Sequence, residues 1–476
     1  MTTSADGPAG ATSADTERIL GPRLRGLTLG IAGVVTAVAF EAMAVATAMP
    51  VAVRELHGLG AYGWAFSGFL VASLFATVVA GEICDARGPR IPLFGGMGIF
   101  TVGLVVAGTA VDMPVFVLGR LLQGLGAGGV IVGVYVVVGA AYVEALRPRM
   151  FAVLSAAWVV PSLIGPPIAG VLAEHASWRL VFLVVPFLGV PAAFAILPRV
   201  AHLERTEHTA RRAGRTRLAF GVALGAAALQ AAGTRVDRWS IPLTIVGFGL
   251  LAWAMPRLLP AGALRLARGL PTTVIMRGLL SGPFFGASTF IPLMLITQRG
   301  LTPTVAGITL TVGSLGWSFG SWVQGRQGVR ISRSELVRTG TLCLAVGIVL
   351  VAATLRDGVP VIVASLGWVL AGLGMGLGMT SVSVVSLQLA TPEERGSVSA
   401  ALQLCDVLGS TLTIALASAI YAAERSTHEG RAFAVILFVM AALAVFGALV
   451  AGRMRPPDGR HTDAAPRSWV EGQLPT

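Results

Sequence analysis

The sequence predicts an all-α polytopic membrane protein in which two six-helix halves flank two extra central helices. Apolar residues make up 55% of the 476 residues and charged residues only 12%, about half the charged share of a soluble domain. The apolar residues fall in blocks of about 20, the length of a membrane-crossing helix, rather than in the short alternating segments of a barrel. Finally, a motif in the first half of the chain recurs in the second half.

Apolar runs and the residues that interrupt them predict fourteen helices, with twelve as the alternative because the two central candidates are weak. The central pair covers roughly 218–234 and 240–259. The first six helices run roughly over 26–53, 62–83, 91–111, 114–143, 151–173 and 178–198, and the last six over 271–297, 303–324, 335–355, 359–390, 397–422 and 431–452.

These helices divide the chain into five parts. They are a disordered tail at 1–25, a six-helix half at 26–198, a linker with the two extra helices at 199–270, a second half at 271–452 and a tail at 453–476. Loops on the side of the two tails hold about three times as many Arg residues as the other loops, which predicts that both termini are cytoplasmic. We therefore expect a multi-pass protein of the inner or plasma membrane.

The formal net charge of +12 does not indicate nucleic-acid binding, because the basic residues are spread over loops between apolar blocks. The first residues lack the layout of a signal peptide. No phosphate-binding P-loop and no catalytic constellation is found in the sequence, so neither nucleotide hydrolysis nor another enzyme activity is expected. The missing P-loop favours an ion gradient as the energy source. No cofactor or metal is predicted.

The internal repeat joins two glycine-rich segments. The segment 118–128, LGRLLQGLGAG, aligns with 366–376, LGWVLAGLGMG, 248 residues later. The glycines recur, which indicates a structural role in close helix packing. Arg120 aligns with Trp368 and Gln123 with Ala371, so the cation occurs in one half only and is predicted to be functional. Duplicated halves are typical of secondary transporters.

Two acidic residues are predicted near the middle of the membrane, Glu41 in the first helix and Asp406 in the thirteenth. A charge at this depth costs about 2.5–3.5 kcal/mol on insertion scales, so such residues usually line a cavity and carry ions. Arg120 and Arg277 are the candidate partners. Because the six His residues fall in tails, loops or helix ends, the carboxylates are the better proton carriers. A static buried pair is the alternative for both acids.

Three motifs resemble those of the major facilitator superfamily. The segment 81–90, GEICDARGPR, resembles its conserved loop between helices 2 and 3, and 120–128 resembles its helix-4 motif. The segment 165–170, GPPIAG, is similar to the helix-5 motif of its drug antiporters. Two departures occur, since Ala86 stands where the loop usually has a basic residue and Pro161 where the antiporters usually have Gly. The resemblance covers roughly 26–455 and implies the branch of 14-helix drug:proton antiporters.

This resemblance assigns roles to individual residues. Glu41 fills the place of the helix-1 acid that carries protons in these antiporters. The loop is expected to act as a conformational latch, with a solvated turn as the alternative, through Gly81, Asp85, Arg87, Gly88 and Arg90. The helix-5 motif is expected to kink its helix and to act in coupling, with a passive kink as the alternative, through Gly165, Pro166, Pro167 and Gly170.

The predicted function is proton-coupled efflux of small hydrophobic or amphipathic compounds, such as drugs or secondary metabolites. The partners are then a small-molecule substrate, protons and the lipid bilayer, and a monomer is expected. Two alternatives are a transporter of the same fold for lipid or a nutrient, and a non-transporting receptor or scaffold. The candidates for lining the substrate cavity, each with lipid contact or packing as the alternative, are Phe40, Gln123, Trp158, Phe284, Phe285, Trp317 and Gln403.

Overall fold

The computed structural model describes residues 19–200, 215–234, 237–325, 331–391, 394–425 and 428–455, and this part contains no strand. Fourteen long helices follow one another: α1 Arg25–Glu55, α2 Trp64–Arg87, α3 Arg90–Gly108, α4 Met113–Ala141, α5 Arg147–His175, α6 Leu180–Leu183 continued as Val185–Val200, α7 Arg215–Gly233, α8 Ser240–Leu258, α9 Leu270–Arg299, α10 Pro303–Gly325, α11 Arg333–Ala353, α12 Ile362–Leu389, α13 Arg395–Glu424 and α14 Glu429–Val450. The predicted all-α fold is confirmed. The predictions for 1–18, 201–214 and 456–476 lie outside the described residues.

Twelve stretches are both long enough and apolar enough to cross a membrane within the described residues. The helices α7 and α10 are not among them. Helix α7 carries Arg residues in its first turn, and α10 is rich in Gly, Ser and Thr. Helix α10 packs along α5 and α12, so part of its surface meets protein instead of lipid. Both helices have membrane length, and their crossing stays a prediction.

The same packing pattern occurs in both six-helix halves. In the first half α1 pairs with α5 and α2 with α4, while α3 and α6 pack behind them. In the second half α9 pairs with α13 and α10 with α12, while α11 and α14 pack behind them. Each half therefore presents a row of four helices, with two helices covering the back of the row.

The repeated glycines explain how these rows pack closely. A Cβ atom on Gly126 of α4 would lie 2.3 Å from the backbone nitrogen of Phe100 in α3. At the equivalent place in the second half, a Cβ atom on Gly374 of α12 would lie 2.2 Å from the carbonyl oxygen of Gly340 in α11. Only glycine permits these two helix crossings without displacing the backbone.

The two halves meet at one face of the bundle. We name the face that carries residues 25, 87, 147 and 455 the terminal face, and the other the closed face. At the closed face the Tyr62 hydroxyl donates to the carbonyl oxygen of Thr289 (2.8 Å), and the Thr304 hydroxyl donates to Glu174 (2.6 Å). These two contacts join the halves by direct hydrogen bonds in the described part. From the position of these contacts we infer that the rows separate toward the terminal face, and we name the space between them the cleft.

The two extra helices lie beside one seam between the halves. Helix α7 packs on α2 of the first half and on α13 of the second half, and α8 packs on α7. Phe220 of α7 contacts Phe75 of α2 edge-on, with ring centroids 5.8 Å apart. The buried Gln230 amide of α7 donates to the Ser418 hydroxyl of α13 (3.3 Å). The insertion thus bridges the two halves on one side of the cleft.

Candidate functional site

A buried ion pair lies inside the first half, between α1 and α4. The Arg120 guanidinium hydrogen-bonds through Nη1 to the Glu41 carboxylate, and the two side chains are 3% and 0% exposed. The other oxygen of this carboxylate, Oε2, has no hydrogen-bond partner among the described residues. A buried carboxylate keeps its charge only while a cation or sufficient donors remain close. The ionisation of Glu41 therefore depends on Arg120 staying in place.

Neighbouring helices hold the Arg120 side chain in position. Its Nε donates to the carbonyl oxygen of Ala65 in α2 (2.6 Å), and its guanidinium lies 4.9 Å from the ring centroid of Phe69. Its Nη1 also contacts Gln123 Oε1, and the Gln123 amide donates to the carbonyl oxygen of Gly103 in α3 (3.1 Å). Groups from α1, α2 and α4 thus contact the cation directly, and α3 supports it indirectly through Gln123.

An aromatic pair fills the equivalent slot of the second half. Trp368 of α12, which aligns with Arg120, stacks on Phe284 of α9 with ring centroids 4.7 Å apart and an interplanar angle of 17°. Phe285 and Trp317 meet Phe284 edge-on, at 5.3 and 5.5 Å. We name these four residues the aromatic cluster. The two halves therefore use the same helix positions for a charged pair and for an apolar stack.

A second ion pair joins three helices of the second half. Arg277 of α9 donates through Nε and Nη2 to Asp406 Oδ2 of α13 (3.3 and 3.2 Å), and through Nη1 to the Ser383 hydroxyl of α12 (3.0 Å). The Arg277 and Asp406 side chains are 19% and 21% exposed. Because α11 and α14 cover the back of this row, we place the exposed part on the cleft side.

The residues predicted to line the substrate cavity lie in different surroundings. Phe284, Phe285 and Trp317 come together in the aromatic cluster. Gln123 was predicted to line the cavity, but it is fully buried in the Arg120 network. It lies one helical turn after Arg120, which puts both side chains on one face of α4.

Three other candidates lie outside the aromatic cluster. Phe40 is partly buried and packs against the hydrophobic core, while Trp158 and Gln403 are exposed. Contact of these three residues with a transported molecule stays a prediction.

The loop motif lies at the terminal end of α2, where Gly88 adopts a positive φ of 80° that favours glycine. The side chains of Asp85, Arg87 and Arg90 are exposed. They form no hydrogen bond or ion pair with other described residues. The structure thus brings the predicted latch to the terminal face without a partner for its acid, and the latch role stays a prediction.

The helix-5 motif lies where α5 meets α10 of the other half. A Cβ atom on Gly170 would lie 2.5 Å from Thr304 Cα, and one on Gly307 would lie 2.6 Å from the carbonyl oxygen of Pro166. Helix α5 continues through Pro166 and Pro167 to its end at His175. The motif therefore forms part of the contact between the halves. Sequence reasoning missed the other partners at this face, Tyr62 and Thr289, because they lie in separate halves and no local signal links them.

Two similar six-helix halves, each with an Arg–carboxylate pair between its helices, have the architecture of a polytopic membrane transporter. The chain matches the Major Facilitator Superfamily over residues 29–291 and 273–474, and it belongs to this superfamily. The predicted family is thereby confirmed, and the chain is a transporter, not an enzyme.

Its relatives include transporters of the drug-efflux branch. A multidrug transporter protein of Bacillus subtilis (strain 168) is 27% identical over 407 residues, which cover 83% of this chain and 75% of the relative. A probable multidrug-efflux transporter of Mycobacterium tuberculosis (strain ATCC 25618 / H37Rv) is 27% identical over 434 residues, which cover 84% of this chain and 88% of the relative. These matches support the drug-efflux branch predicted from the motifs.

Solved structures share the fold at low sequence identity. A POT family transporter in complex with a thioalcohol-conjugated peptide superposes with a TM-score of 0.69 at 13% identity, covering 91% of this chain and 97% of that chain. A mutant of the nucleoside transporter NupG gives a TM-score of 0.64 at 13% identity, covering 90% of this chain and 99% of that chain. At this identity the likeness extends to the fold alone.

Proposed function

We propose that this protein exports small apolar or amphipathic compounds in exchange for protons, with Glu41 as the proton carrier. The observation that carries the proposal is the buried pair between Glu41 and Arg120. In this proposal Glu41 is ionised while it is paired with Arg120, and it takes up a proton when the two side chains separate, because burial disfavours an unpaired charge. Proton occupancy and helix arrangement are then linked in both directions.

The arrangement of the halves supplies the second element of the proposal. The halves contact each other at the closed face through α5 against α10 and Tyr62 against Thr289, and the cleft is expected to open toward the terminal face. We assign the terminal face to the cytoplasm, because the Arg-rich loops lie on this side. In this state a compound from the cytoplasm can enter the cleft while the proton has left Glu41. Rocking of the two halves would then expose the cleft to the outside.

Export is favoured by the kinship with multidrug transporters and by the apolar character of the aromatic cluster. The presence of protons as partners, the monomeric state and the location in the cell membrane are parts of the same proposal. The anchored position of Arg120, which has contacts from α1, α2 and α4 itself, makes movement of α1 the natural way to break the pair.

The test uses purified protein in proteoliposomes with an imposed pH gradient and a panel of neutral and cationic fluorescent aromatic dyes. The variant Glu41→Gln keeps the size of the side chain but cannot cycle a proton. The matched control is Glu55→Gln, an exposed carboxylate at the end of the same helix that pairs with Arg179. We expect Glu41→Gln to lose gradient-driven dye movement and Glu55→Gln to retain it. Equal transport by both variants would refute the carrier role of Glu41.

A further inference from the structure

The second ion pair and the aromatic cluster lie on one stretch of α9. Arg277 and Phe284 are seven residues apart, which corresponds to about 10 Å along the helix at 1.5 Å per residue. Ser281, one turn after Arg277, donates to the carbonyl oxygens of Arg277 and Asp406 (both 3.0 Å). The polar pair and the partly exposed rings of Phe285 and Trp317 therefore lie on the same stretch of the second half, while Phe284 itself is buried.

The polar group is electrically neutral as a pair. Arg277 has five N–H donors, of which three are directed at Asp406 and Ser383, so two are left for a ligand oxygen. On the acid, Oδ2 accepts both contacts from Arg277, and Oδ1 is buried without a hydrogen-bond donor in the described part. The pair can thus offer the remaining Arg277 donors to a ligand oxygen without being broken.

Charged ligands face a competition that neutral ones avoid. An organic cation can bind Asp406 only by competing with Arg277, and an organic anion can bind Arg277 only by competing with Asp406. Among the described residues, the acidic side chains more than two turns from a helix end are Glu41 and Asp406. Both are paired with Arg. Separating one buried partner leaves the other without compensation, which is strongly unfavourable.

We propose that the wall formed by Arg277, Asp406, Ser383 and the aromatic cluster is a binding subsite for uncharged aromatic compounds that carry hydroxyl or carbonyl groups. The aromatic end contacts Phe285 and Trp317, and a hydroxyl or carbonyl group about 10 Å away hydrogen-bonds to the pair. This inference rests on the proposed function, because it assumes that the cleft holds the transported molecule. It narrows the substrate class to neutral aromatic compounds with an oxygen that can accept a hydrogen bond from Arg277.

The test compares three probes with the same naphthyl ring and the same linker, which end in a hydroxyl-bearing amide, a trimethylammonium or a carboxylate. Binding to the purified full-length protein is measured by isothermal titration calorimetry at neutral pH, without a gradient. For the unmodified protein we expect the uncharged probe to bind roughly tenfold tighter than either charged probe. This factor corresponds to one hydrogen bond to a charged group, which a charged probe gains only by competing with the other member of the pair.

Single charge removals give the decisive readout. Arg277→Gln leaves Asp406 unpaired and should make the ammonium probe the tightest ligand, whereas Asp406→Asn should favour the carboxylate probe. The double variant, which has no charge at either place, should again favour the uncharged probe. A merely structural role of the pair would weaken all three probes equally, and that result would overturn the proposal.

Two further results keep the test independent of folding and of proton coupling. If a single variant does not fold, the affinities of the three probes for the unmodified protein and for the double variant decide the test. A preference of the unmodified protein for the ammonium probe refutes the proposal. The variant Glu41→Gln should keep the ranking, because its site is sealed from the cleft. If Glu41→Gln loses transport but ranks the three probes as before, the result bears on the proton carrier alone. If the unmodified protein ranks the probes differently from the expectation, the result contradicts the proposed ligand class.

Discussion

Arg120 of α4 and Trp368 of α12 occupy equivalent positions 248 residues apart, yet the first is bound to a carboxylate and the second to a phenyl ring. The surrounding glycines recur and serve the same close helix packing in both halves. Packing alone therefore does not require a cation at this position. The difference supports a division of roles, with the proton handled in the first half and the apolar part of the substrate in the second.

Stability measurements can quantify the coupling between Glu41 and Arg120. Loss of one partner of a buried pair typically destabilises a protein by about 3–5 kcal/mol, because the other charge remains buried. We expect Glu41→Gln and Arg120→Met each to lower the unfolding temperature, and the double variant to lose less than the sum of the two. The same cycle on Glu55 and Arg179, which are 49% and 31% exposed, should give a coupling of about 0–1 kcal/mol. Additive losses at the buried pair would show that the two residues act separately.

Helix α4 offers a matched pair of glycines for testing the close packing of the repeat. A Cβ atom on Gly126 would approach the Phe100 backbone nitrogen to 2.3 Å, whereas Gly139 has no atom within 4 Å. Gly126→Ala is expected to destabilise the protein by about 1–3 kcal/mol through overpacking, and Gly139→Ala to have little effect. Thermal unfolding in detergent measures both. An unchanged melting temperature for Gly126→Ala would mean that α3 and α4 do not approach this closely.

The contact between Tyr62 and Thr289 is expected to stabilise the state in which the two halves touch at the closed face. Tyr62→Phe removes one buried hydrogen bond, worth about 0.5–1.5 kcal/mol, and should shift the population toward the state closed at the terminal face. The matched control is Tyr135→Phe, which alters an exposed tyrosine on α4.

Spin labels at Glu82 in α2 and Ser399 in α13, both exposed toward the terminal face, report the shift by electron–electron distance measurements. Shorter distances are expected for Tyr62→Phe than for Tyr135→Phe. Identical distance distributions in the two variants would argue against a role of the Tyr62 contact in the equilibrium.

Crossing of the membrane by α7 and α8 can be tested by labelling. The connection between them, which includes the exposed Arg238, should lie on the outside. After replacement of Cys84, Cys343 and Cys405, a cysteine at Arg238 should react with a membrane-impermeant thiol reagent in intact cells. A cysteine at Ala86, at the terminal face, should react only after permeabilisation. Protection of both positions in intact cells would mean that the extra helices do not cross the membrane.

Much of the fold could be predicted because its signals are local. Helix α10 was expected over 303–324 and runs Pro303–Gly325, since a proline and a glycine mark its two ends. The insertion cost of a buried charge also pointed from Glu41 to Arg120 before any contact was known. These inferences need only hydropathy, helix-breaking residues and depth in the membrane.

The rest depends on how distant segments pack, which a single sequence does not record. Ser383 as a partner of Arg277, Tyr62 as a partner of Thr289 and the break of α6 at Val184 have no local signature. Gln123 is among the predicted cavity residues, but it lies in the Arg120 network. Its spacing of three residues from Arg120 is the feature that indicates their shared face.

The central claim is that substrate binding and proton release are linked through Glu41. The most direct measurement records proton release into a weakly buffered solution when a transported dye is added to the purified protein in detergent. Dye binding is expected to draw molecules with a protonated Glu41 into the ionised state, so we predict release by the unmodified protein and by Glu55→Gln, and none by Glu41→Gln, although the variant still binds the dye. Proton release of equal size from Glu41→Gln would contradict the account.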